Sequence, residues 1–274
     1  MRIYNNVNAI VTQNALTQTN TAMSKSLEKL STGLRINRAA DDAAGLSVSE
    51  GLRSQIRGSE QSRRNSNDAI AMMQIAESGA QSITDSLQRM RELAIQSANG
   101  TYSNTERGYI QQEFNQLSCE ITRISQAVTY NGISLLTDAA TFTFQVSAMG
   151  TGPATTISFV TSNLMSCSTG LDLASSAVSS QSLAQEAIAS IDVALGSVLN
   201  LRATIGAVMN RLEKTIDALG VMISNYSDAE SRIRDLDFAT ETTKFTRNQI
   251  LTQSGTSMLA QANQLPQGVL SLLK

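Results

Sequence analysis

Residues 188–226 read IASIDVALGSVLNLRATIGAVMNRLEKTIDALGVMISNY, and this stretch decides the fold. One series of side chains, mostly apolar, repeats every seven residues: Ile191, Val198, Ile205, Leu212, Leu219 and Tyr226. A second series lies three places earlier, at Ile188, Leu195, Met209, Ile216 and Ile223, with Arg202 in the remaining place. Together they predict an apolar stripe along one side of a helix. Such a helix is roughly 60 Å long, so we expect it to need an elongated partner.

Arg202 is the odd member of these series. We interpret it as a side chain whose stem packs along the edge of the stripe while its charge reaches water. A pairing with an acidic residue of a neighbouring helix is the alternative.

A second heptad pattern predicts another long helix over residues 69–94. Its two series are Ala69, Ala76, Ile83 and Met90, and Met73, Ala80, Leu87 and Ala94. Asn99-Gly100 suits a left-handed cap at its end, and Ser103-x-x-Glu106 is a capping box that opens a third helix, which runs to about Val128. The short connection predicts antiparallel neighbours, so all three helices are expected to form one bundle.

Between residues 130 and 182 the pattern changes from helical to extended. Tyr130-Asn131-Gly132 is a turn signal, and TFTFQV (141–146) and TISFV (156–160) both alternate apolar and polar side chains. A Gly/Pro-containing segment separates them, which predicts a β-hairpin or small sheet.

The segment from residue 31 to residue 64 shows no persistent period, and four glycines interrupt it. We expect a connector with short helices. Its arginines make it basic, which indicates a solvated or inter-subunit polar surface or, alternatively, a patch for an anionic partner. Asp41-Asp42 is interpreted as a helix N-cap or turn and not as a metal pair.

The two ends of the chain are only weakly amphipathic. An isolated helix with so few apolar residues is marginal in water, so we expect the first segment to order only against a partner. Ser227-x-x-Glu230 is interpreted as a capping box that opens the last segment. The expected fold is mainly α: a long antiparallel helical bundle or coiled-coil rod with a small β-hairpin element at the chain midpoint.

The composition narrows the function classes. The 274 residues include no His and no Trp, two Cys, and a net charge of −2. Without His there is no His-containing triad and no His–metal site. A carboxylate or Lys mechanism is still open on composition alone, and the net charge gives no general attraction to nucleic acid or to an anionic membrane. We expect no catalytic or metal site, no cofactor, no nucleic-acid partner and no membrane insertion. The first 20 residues have no apolar h-region, so a Sec-type signal is not expected.

Four segments resemble bacterial flagellin. They are IYNNVNAIVTQNALTQTN (3–20), SLEKLSTGLRINRAADDAAGLSVSEGLRSQIRG (26–58), LQRMRELAIQSANGT (87–101) and MLAQANQLPQGVLSLLK (258–274). Their order and number identify a short form of that family with a minimal variable region. The resemblance implies a subunit that self-assembles into the helical filament used for motility.

The resemblance also implies a domain organisation. Residues 1–44 and 230–274 are expected to form a coiled-coil inner-tube domain, residues 45–137 and 176–229 a helical rod domain, and residues 138–175 a small variable β region. The side chains expected to pack in the filament core are Val7, Ile10, Leu27, Leu30, Leu34, Leu251, Met258, Leu259, Leu265, Val269 and Leu272.

Two further sets of site residues follow from the family. Arg89, Leu93 and Glu113 match a motif through which some flagellins bind Toll-like receptor 5; contacts within the filament are the alternative role. The candidate O-glycosylation sites are Thr143, Ser147, Thr151, Thr155, Thr161, Ser162, Ser166 and Thr169, for which a plain Ser/Thr-rich surface loop is the alternative.

The implied partners are other copies of the chain, a flagellar export chaperone, the filament cap and the hook-junction proteins. Export through the flagellar type III channel implies a secreted, extracellular filament, with a periplasmic flagellum left open. The alternative functions are a hook–filament junction protein and a secreted coiled-coil adhesin or effector.

Overall fold

The structure is a computed structural model that describes residues 6–150, 152, 154–166, 170–173 and 176–271, without the side chains of 265–271. The helices are α1 (Val7–Thr32), α2 (Ala43–Ala98), α3 (Asn104–Ala127), α4 (Gln181–Arg234) and α5 (Phe238–Ser271). The strands are β1 (Thr129–Tyr130), β2 (Ile133–Ser134), β3 (Thr141–Gln145) and β4 (Thr156–Val160). The predicted mainly α fold with a small β element is confirmed.

The chain divides into two compact units. Unit 1 consists of residues 1–54 and 225–274, and unit 2 consists of residues 55–224. The helices α2 and α4 each contribute residues to both units.

Unit 2 is an antiparallel bundle of α2, α3 and α4. Arg91 of α2 pairs with Asp192 of α4 at 2.7 Å, and the earlier Glu77 of α2 pairs with the later Arg202 of α4 at 2.8 Å, so these two helices run in opposite directions. Arg89 of α2 pairs with Glu113 of α3 at 2.8 Å in the same antiparallel sense. The predicted bundle of three helices is therefore confirmed.

The heptad stripe of α4 lies in the core of unit 2. Five members of the first predicted series are buried: Ile191, Val198, Ile205, Leu212 and Leu219. The second buried series is Ala187, Ala194, Leu201 and Val208, one place before the predicted series, whose members Ile188, Leu195 and Met209 pack at the edge. The buried stripe of α4 is rotated by one residue because small alanines, and not the large apolar residues beside them, lie where the helices approach each other. A pattern of large apolar residues does not indicate these positions.

The interpretation of Arg202 as an unpaired snorkelling side chain is wrong. Its Nε and Nη2 atoms both lie 2.8 Å from Oε1 of Glu77 on α2. Both side chains are about one-third exposed or less. This ion pair lies at the point along α4 where the predicted second heptad series has no apolar side chain.

The connector predicted over residues 31–64 is wrong from Ala43 onwards, because α2 runs without a break from there, and only residues 33–42 connect α1 to α2. The two heptad series of α2 continue towards its start through Ser59, Ser62 and Ser66, all of them buried. The Ser66 hydroxyl donates to the Ser62 carbonyl at 2.9 Å. Serine at these core positions hides the period from any apolar pattern.

Small residues also let the β3–β4 hairpin region approach this part of α2. A Cβ built on Gly58 meets the Cβ of Ala148 at 2.6 Å, and the Asn65 side chain donates to the Gln145 carbonyl at 3.2 Å. Gly58 is thus a site of close approach and not a helix breaker.

The helix ends confirm some predictions and correct others. Asp42 caps α2 by accepting from the Gly45 N–H at 2.8 Å, and the Ser103–Glu106 capping box opens α3. Gly100 has no positive φ, so the predicted left-handed cap is wrong. Ser227 and Glu230 lie inside α4, so the capping box predicted there is wrong as well.

The two β-hairpins form where the sequence predicts extended chain. Asn131 and Gly132 have φ values of 49° and 77° and make the two-residue turn between β1 and β2. In the second hairpin, Phe142 pairs with Phe159 and Phe144 with Ile157. Their inward side chains extend the core of unit 2.

Among the described residues, α4 alone matches a membrane span in length and hydropathy, with a mean hydropathy of 1.4 in its most apolar window. Its buried stripe belongs to the core of unit 2.

Candidate assembly surface

The helices α1 and α5 pack together as an antiparallel pair in unit 1. Asn6 donates to the Ala262 carbonyl at 2.8 Å near one end, and Thr252 donates to Asn20 at 3.3 Å in the middle. The Ser26 hydroxyl donates to Glu241 Oε1 at 2.7 Å towards the other end. The pair is therefore in register along most of its described length.

The contact within this pair is thin and partly polar. Ser26 is the only buried side chain of α1 among the described residues, and the buried side chains of α5 are Glu241 and Ala262. Where α1 and α5 approach closely, Gly255 leaves room for Leu16, whose Cδ1 lies 3.2 Å from a Cβ built on the glycine. Little apolar surface is thus buried between the two helices, and the hydrophobic stabilisation of the isolated pair is small.

The buried carboxylate of Glu241 is held in its charged form. Burial raises its pKa, but the hydrogen bonds from Ser26 and from Lys244, whose Nζ lies 3.1 Å from Oε2, outweigh burial and leave the pKa below its ordinary value. A charged group at this contact favours one register of α1 against α5, since any shift of α1 removes the Ser26 donor, whereas Lys244 lies on the same helix as Glu241.

Apolar side chains of α1 and α5 point away from this thin contact. Val7, Ile10 and Val11 of α1 are each more than half exposed. Among the described side chains of α5, the exposed large apolar ones are Phe238, Ile250, Leu251 and Met258. Leu251 and Met258 lie seven residues apart and so share one side of the helix. We call these seven residues the assembly surface, because an exposed apolar surface of this kind marks an interaction site.

Most of the predicted filament-core residues belong to this region. Val7, Ile10, Leu27, Leu251 and Met258 are exposed, whereas Leu30, Leu34 and Leu259 are half-buried. The side chains of Leu265 and Val269, and the whole of Leu272, lie outside the described residues. Packing of these residues in a filament stays a prediction.

Threonine is frequent in α1 and α5, and the apolar pattern of the sequence does not indicate its role. Thr17, Thr19 and Thr21 of α1 donate to the carbonyl four residues earlier, as do Thr243 and Thr246 of α5. This back-bonding slightly destabilises a helix. The two terminal helices are therefore weak helices by composition as well as by packing.

An ionic cluster joins the start of α2 to the end of α4 within unit 1. Glu50 accepts from Arg234 at 2.8 Å and from Arg53 at 2.9 Å, and Arg53 lies 3.6 Å from Glu230. The bonds from Arg234 and Arg53 lower the pKa of Glu50. Arg53 of the predicted basic segment thus has partners inside its own chain.

The segment that connects α1 to α2 is hydrogen-bonded to the junction between α4 and α5. The Arg35 N–H donates to the Arg234 carbonyl at 2.7 Å, and the Leu236 N–H donates to the Gly33 carbonyl at 3.0 Å. Gly33, with φ of 71°, takes the left-handed conformation that ends α1. These hydrogen bonds hold the end of α1 close to the start of α5.

The three residues of the predicted receptor motif are not equivalent in the structure. The guanidinium of Arg89 is exposed and bridges Glu113 and Glu92. Leu93 is only 2% exposed and belongs to the core of unit 2. A receptor contact at this motif therefore rests on Arg89 and Glu113.

Two of the candidate glycosylation residues are not accessible in the folded chain. The Thr161 hydroxyl is buried, donates to the Asp138 carbonyl at 2.7 Å and accepts from the Ala140 N–H. Ser166 is buried against α3, where its hydroxyl donates to the Ser118 carbonyl at 3.0 Å. Burial leaves an enzyme little access to these two hydroxyls in the folded chain, and their modification stays a prediction.

The other candidate hydroxyls keep some exposure or are not described. Thr143 is exposed, and Ser147, Thr155 and Ser162 are half-buried. Thr151 and Thr169 lie outside the described residues. Modification of any of them stays a prediction.

Within the described part of the chain, no group of three His, Cys, Asp or Glu side chains is placed to hold a metal ion. Cys119 is a free, exposed thiol on α3. Cys167 lies outside the described residues.

Comparisons with known proteins agree with this architecture. Residues 3–141 match the family described as bacterial flagellin N-terminal helical region, and residues 188–273 match bacterial flagellin C-terminal helical region. The chain is 44% identical over 286 aligned residues to the flagellar filament 33 kDa core protein of Treponema phagedenis, with both proteins covered completely. It is 46% identical over 251 residues to a flagellin of Halalkalibacterium halodurans, covering 91% of each.

Solved structures are similar as well. The crystal structure of Bacillus cereus flagellin matches 57% of this chain and 88% of its own, with a TM-score of 0.50 and 28% identity. A putative flagellar hook-associated protein of Vibrio parahaemolyticus matches with a TM-score of 0.58 over 71% of this chain and all of its own. Its identity of 14% makes that likeness one of fold alone.

Proposed function

This chain belongs to the bacterial flagellin family and is a structural subunit of the flagellar filament, and we propose that subunits polymerise through the α1–α5 pair. The observation that carries the proposal is the contrast between a thin contact within the pair and the exposed assembly surface on its two helices. Contacts with other copies would cover these apolar side chains. A repeated contact of this kind that does not close on itself builds a helical filament.

We assign the inner-tube role to residues 1–44 and 230–274 and the rod role to residues 45–137 and 176–229. Residues 138–175 form the variable β region in this assignment. The division into two compact units, with changes after residues 54 and 224, supports an arrangement of this type.

The test is seeded polymerisation of the full-length chain carrying Met258→Asp. Met258 is 61% exposed, so the substitution leaves the contacts within the subunit almost unchanged. In the filament the carboxylate would be buried without a partner, which is costly. We expect no elongation from wild-type seeds, with the helical circular dichroism of the monomer retained. Leu259→Asp, at a half-buried neighbouring position, and Leu265→Asp are expected to abolish assembly too.

The matched control is Val193→Asp, an exposed apolar residue of α4 in unit 2. We expect it to polymerise as the wild-type chain does. If Met258→Asp elongates from seeds as the wild-type chain does, the exposed face of α5 does not take part in the contact between subunits. Failure of Val193→Asp would show that polymerisation does not depend on the terminal pair alone.

Polymerisation of the chain by itself also separates the main function from its alternatives. A filament subunit grows long filaments from its own seeds. A hook–filament junction protein or a coiled-coil adhesin would stop at a short or discrete oligomer. Electron microscopy of the seeded reaction distinguishes these outcomes.

The remaining partners follow from the resemblance to flagellins. We propose an export chaperone, the filament cap and the hook-junction proteins as transient partners during export and assembly. Toll-like receptor 5 is proposed as a partner of Arg89 and Glu113. Binding of the receptor ectodomain to wild-type chain, and its loss in Glu113→Ala, would support this partner; equal binding by both chains would contradict the site.

We infer that the filament is extracellular, with a periplasmic filament as the alternative. Antibody labelling of intact cells tests this inference. Labelling of filaments without permeabilisation is expected. Labelling only after the outer membrane is opened would place the filament in the periplasm.

A further inference from the structure

The chain contains two Asn-Gly pairs in described, exposed positions, Asn99-Gly100 and Asn131-Gly132. Asn-Gly is the dipeptide most prone to deamidation, because glycine presents no side chain that shields its main-chain nitrogen. The two pairs share this chemistry but differ in how the fold holds them. Each is therefore a control for the other.

The fold holds Asn131 loosely. Its carboxamide makes no hydrogen bond to any described residue, and the Gly132 N–H likewise has no partner in the described chain. The flanking strands β1 and β2 are two residues long, with pairs Thr129–Ser134 and Tyr130–Ile133, and the Leu135 N–H extends the pairing by donating to the Val128 carbonyl at 3.1 Å. The exposed turn at the tip of so short a hairpin opens at little cost, while its base stays attached to the core.

The backbone of Asn131 adds to this tendency. Its φ of 49° lies in the left-handed region, which costs free energy for any residue with a side chain, although Asn tolerates it better than most. Opening of the turn releases that strain. The released chain samples the geometries in which the Gly132 nitrogen reaches the side-chain carbonyl carbon of Asn131.

The fold holds Asn99 much more firmly. Its carbonyl accepts from Nη2 of Arg107 at 2.9 Å, and its side-chain oxygen accepts from the Thr101 N–H at 3.4 Å. Arg107 is itself buried, and its Nε donates to the Ser97 carbonyl at 2.9 Å. Rotation of the Asn99–Gly100 peptide therefore requires the end of α2 to open.

We propose that Asn131 is the deamidation site of the folded subunit. The Gly132 nitrogen attacks Cγ of Asn131, the N–Cγ bond forms, the Cγ–Nδ2 bond breaks, and the proton from Gly132 leaves with Nδ2 as ammonia. One water then opens the cyclic imide. Attack at Cγ gives aspartate, and attack at the main-chain carbonyl carbon gives isoaspartate, in which the chain runs through Cβ and Cγ.

The product changes the hairpin in two ways. Both forms carry a carboxylate where the native side chain is neutral. Isoaspartate also lengthens the main chain by one carbon, which disturbs a two-residue turn whose length sets the register. Leu135 and Leu136 follow directly and are fully buried, so the disturbed turn is adjacent to core residues. A filament subunit that is not replaced would accumulate this change with age.

The experiment is a time course on the full-length chain at mildly alkaline pH, followed by peptide mass spectrometry of both Asn-Gly sites. A parallel sample in concentrated urea gives the rates without the fold. We expect similar rates at both sites in urea, and in the folded chain a several-fold faster conversion at Asn131 than at Asn99. Conversion at Asn99 that equals or exceeds that at Asn131 in the folded chain would overturn the proposal.

A variant checks that the mass change arises by the imide route. Asn131→Gln lengthens the side chain, which disfavours ring closure, and should remove the mass gain at position 131 while the rate at Asn99 is unchanged. Persistence of the gain in that peptide would show that it comes from another residue and would contradict the assignment.

Discussion

The two units of this chain are built from the same secondary structure in opposite ways. Unit 2 contains all but two of the buried apolar side chains of the described residues; unit 1 has Ile36 and Ala262. The helices α2, α3 and α4 of unit 2 surround a continuous core, whereas α1 and α5 share a thin contact and expose apolar side chains. Helices are stable in proteins mainly through tertiary packing. We therefore expect unit 2 to fold by itself and α1 and α5 to need other subunits.

The contrast extends to the polar groups. In unit 2 the buried serines and the Arg202–Glu77 pair fill positions of a seam that apolar residues otherwise close. In unit 1 the buried Ser26–Glu241 bond is itself a main element of the α1–α5 contact. Polar groups thus complete a core in one unit and largely replace it in the other.

The largest expected effect comes from a change in the core of unit 2. Ile205 is fully buried in the middle of α4, and Ile205→Asp places an unpaired carboxylate in the core. We expect a loss of more than about 4 kcal/mol in the free energy of unfolding. Urea denaturation followed by circular dichroism measures this loss.

The control for this change is again Val193→Asp on the same helix, at a side chain that is 72% exposed. It should alter the free energy of unfolding by no more than about 0.5 kcal/mol. Equal losses in the two variants would mean that burial in the described core does not decide stability.

A smaller effect is expected from filling a close contact in unit 2. A Cβ on Gly79 would lie 2.6 Å from Cγ2 of Val128 and 2.9 Å from Cδ1 of Leu136. Overpacking of this kind costs roughly 1–3 kcal/mol, so Gly79→Ala should lower the urea midpoint.

Gly206 of α4 provides the matched position, since a Cβ there has no neighbour within 4 Å among the described atoms. Gly206→Ala should stabilise the chain by roughly 0.5–1 kcal/mol, because alanine loses less entropy in a helix. Stabilisation by both substitutions would show that α2 packs less closely against Val128 and Leu136 than these distances indicate.

The smallest expected effect concerns the start of α5. Hydrogen bonds from the Thr240 hydroxyl, and from the N–H groups of Thr240 and Ala239, lower the pKa of Asp237 from 3.8. A lowered pKa in the ordered state means that the carboxylate stabilises α5 at neutral pH and loses this effect as the pH falls through its pKa. Asp237→Asn removes the charge and keeps a capping oxygen.

We therefore expect Asp237→Asn to raise the critical concentration for polymerisation slightly at neutral pH. The difference from wild type should narrow as the pH falls below about 4. Sedimentation of filaments across this pH range measures it. A difference that stays constant into acid would mean that the charge of Asp237 does not act on assembly.

The sequence predicts the parts of the fold that rest on apolar periodicity. The first heptad series of α4 and the β3–β4 hairpin are recognisable because large or β-branched side chains mark them, and the two heptad series of α2 because Ile, Leu and Met alternate there with alanine. The first part of α2 is not, because Ser59, Ser62 and Ser66 occupy its buried positions and serine carries no burial signal.

Polar pairings between distant segments are equally hidden. Arg202 pairs with Glu77 across 125 residues, and Ser26 pairs with Glu241 across 215. No local pattern indicates either bond. The capping box predicted at Ser227 is wrong for a different reason. The local sequence resembles a helix start, but packing of α4 continues the helix through it.

The assembly surface was predictable as a region and not residue by residue. Heptad spacing and the family resemblance point to Leu251 and Met258, which are exposed. The same resemblance points to Leu30 and Leu259, but these two side chains are half-buried. Which side of each helix meets its neighbour is decided by packing at Gly255 and by the Ser26–Glu241 bond.

Amide hydrogen exchange on the full-length chain, compared between monomer and filament, tests the contrast between the two units most directly. We expect the amides of α1 and α5 to exchange rapidly in the monomer and slowly in the filament. The amides of α3 and of the parts of α2 and α4 in unit 2 should exchange slowly in both. Protection of α1 and α5 in the monomer equal to that of the unit 2 core would contradict the account.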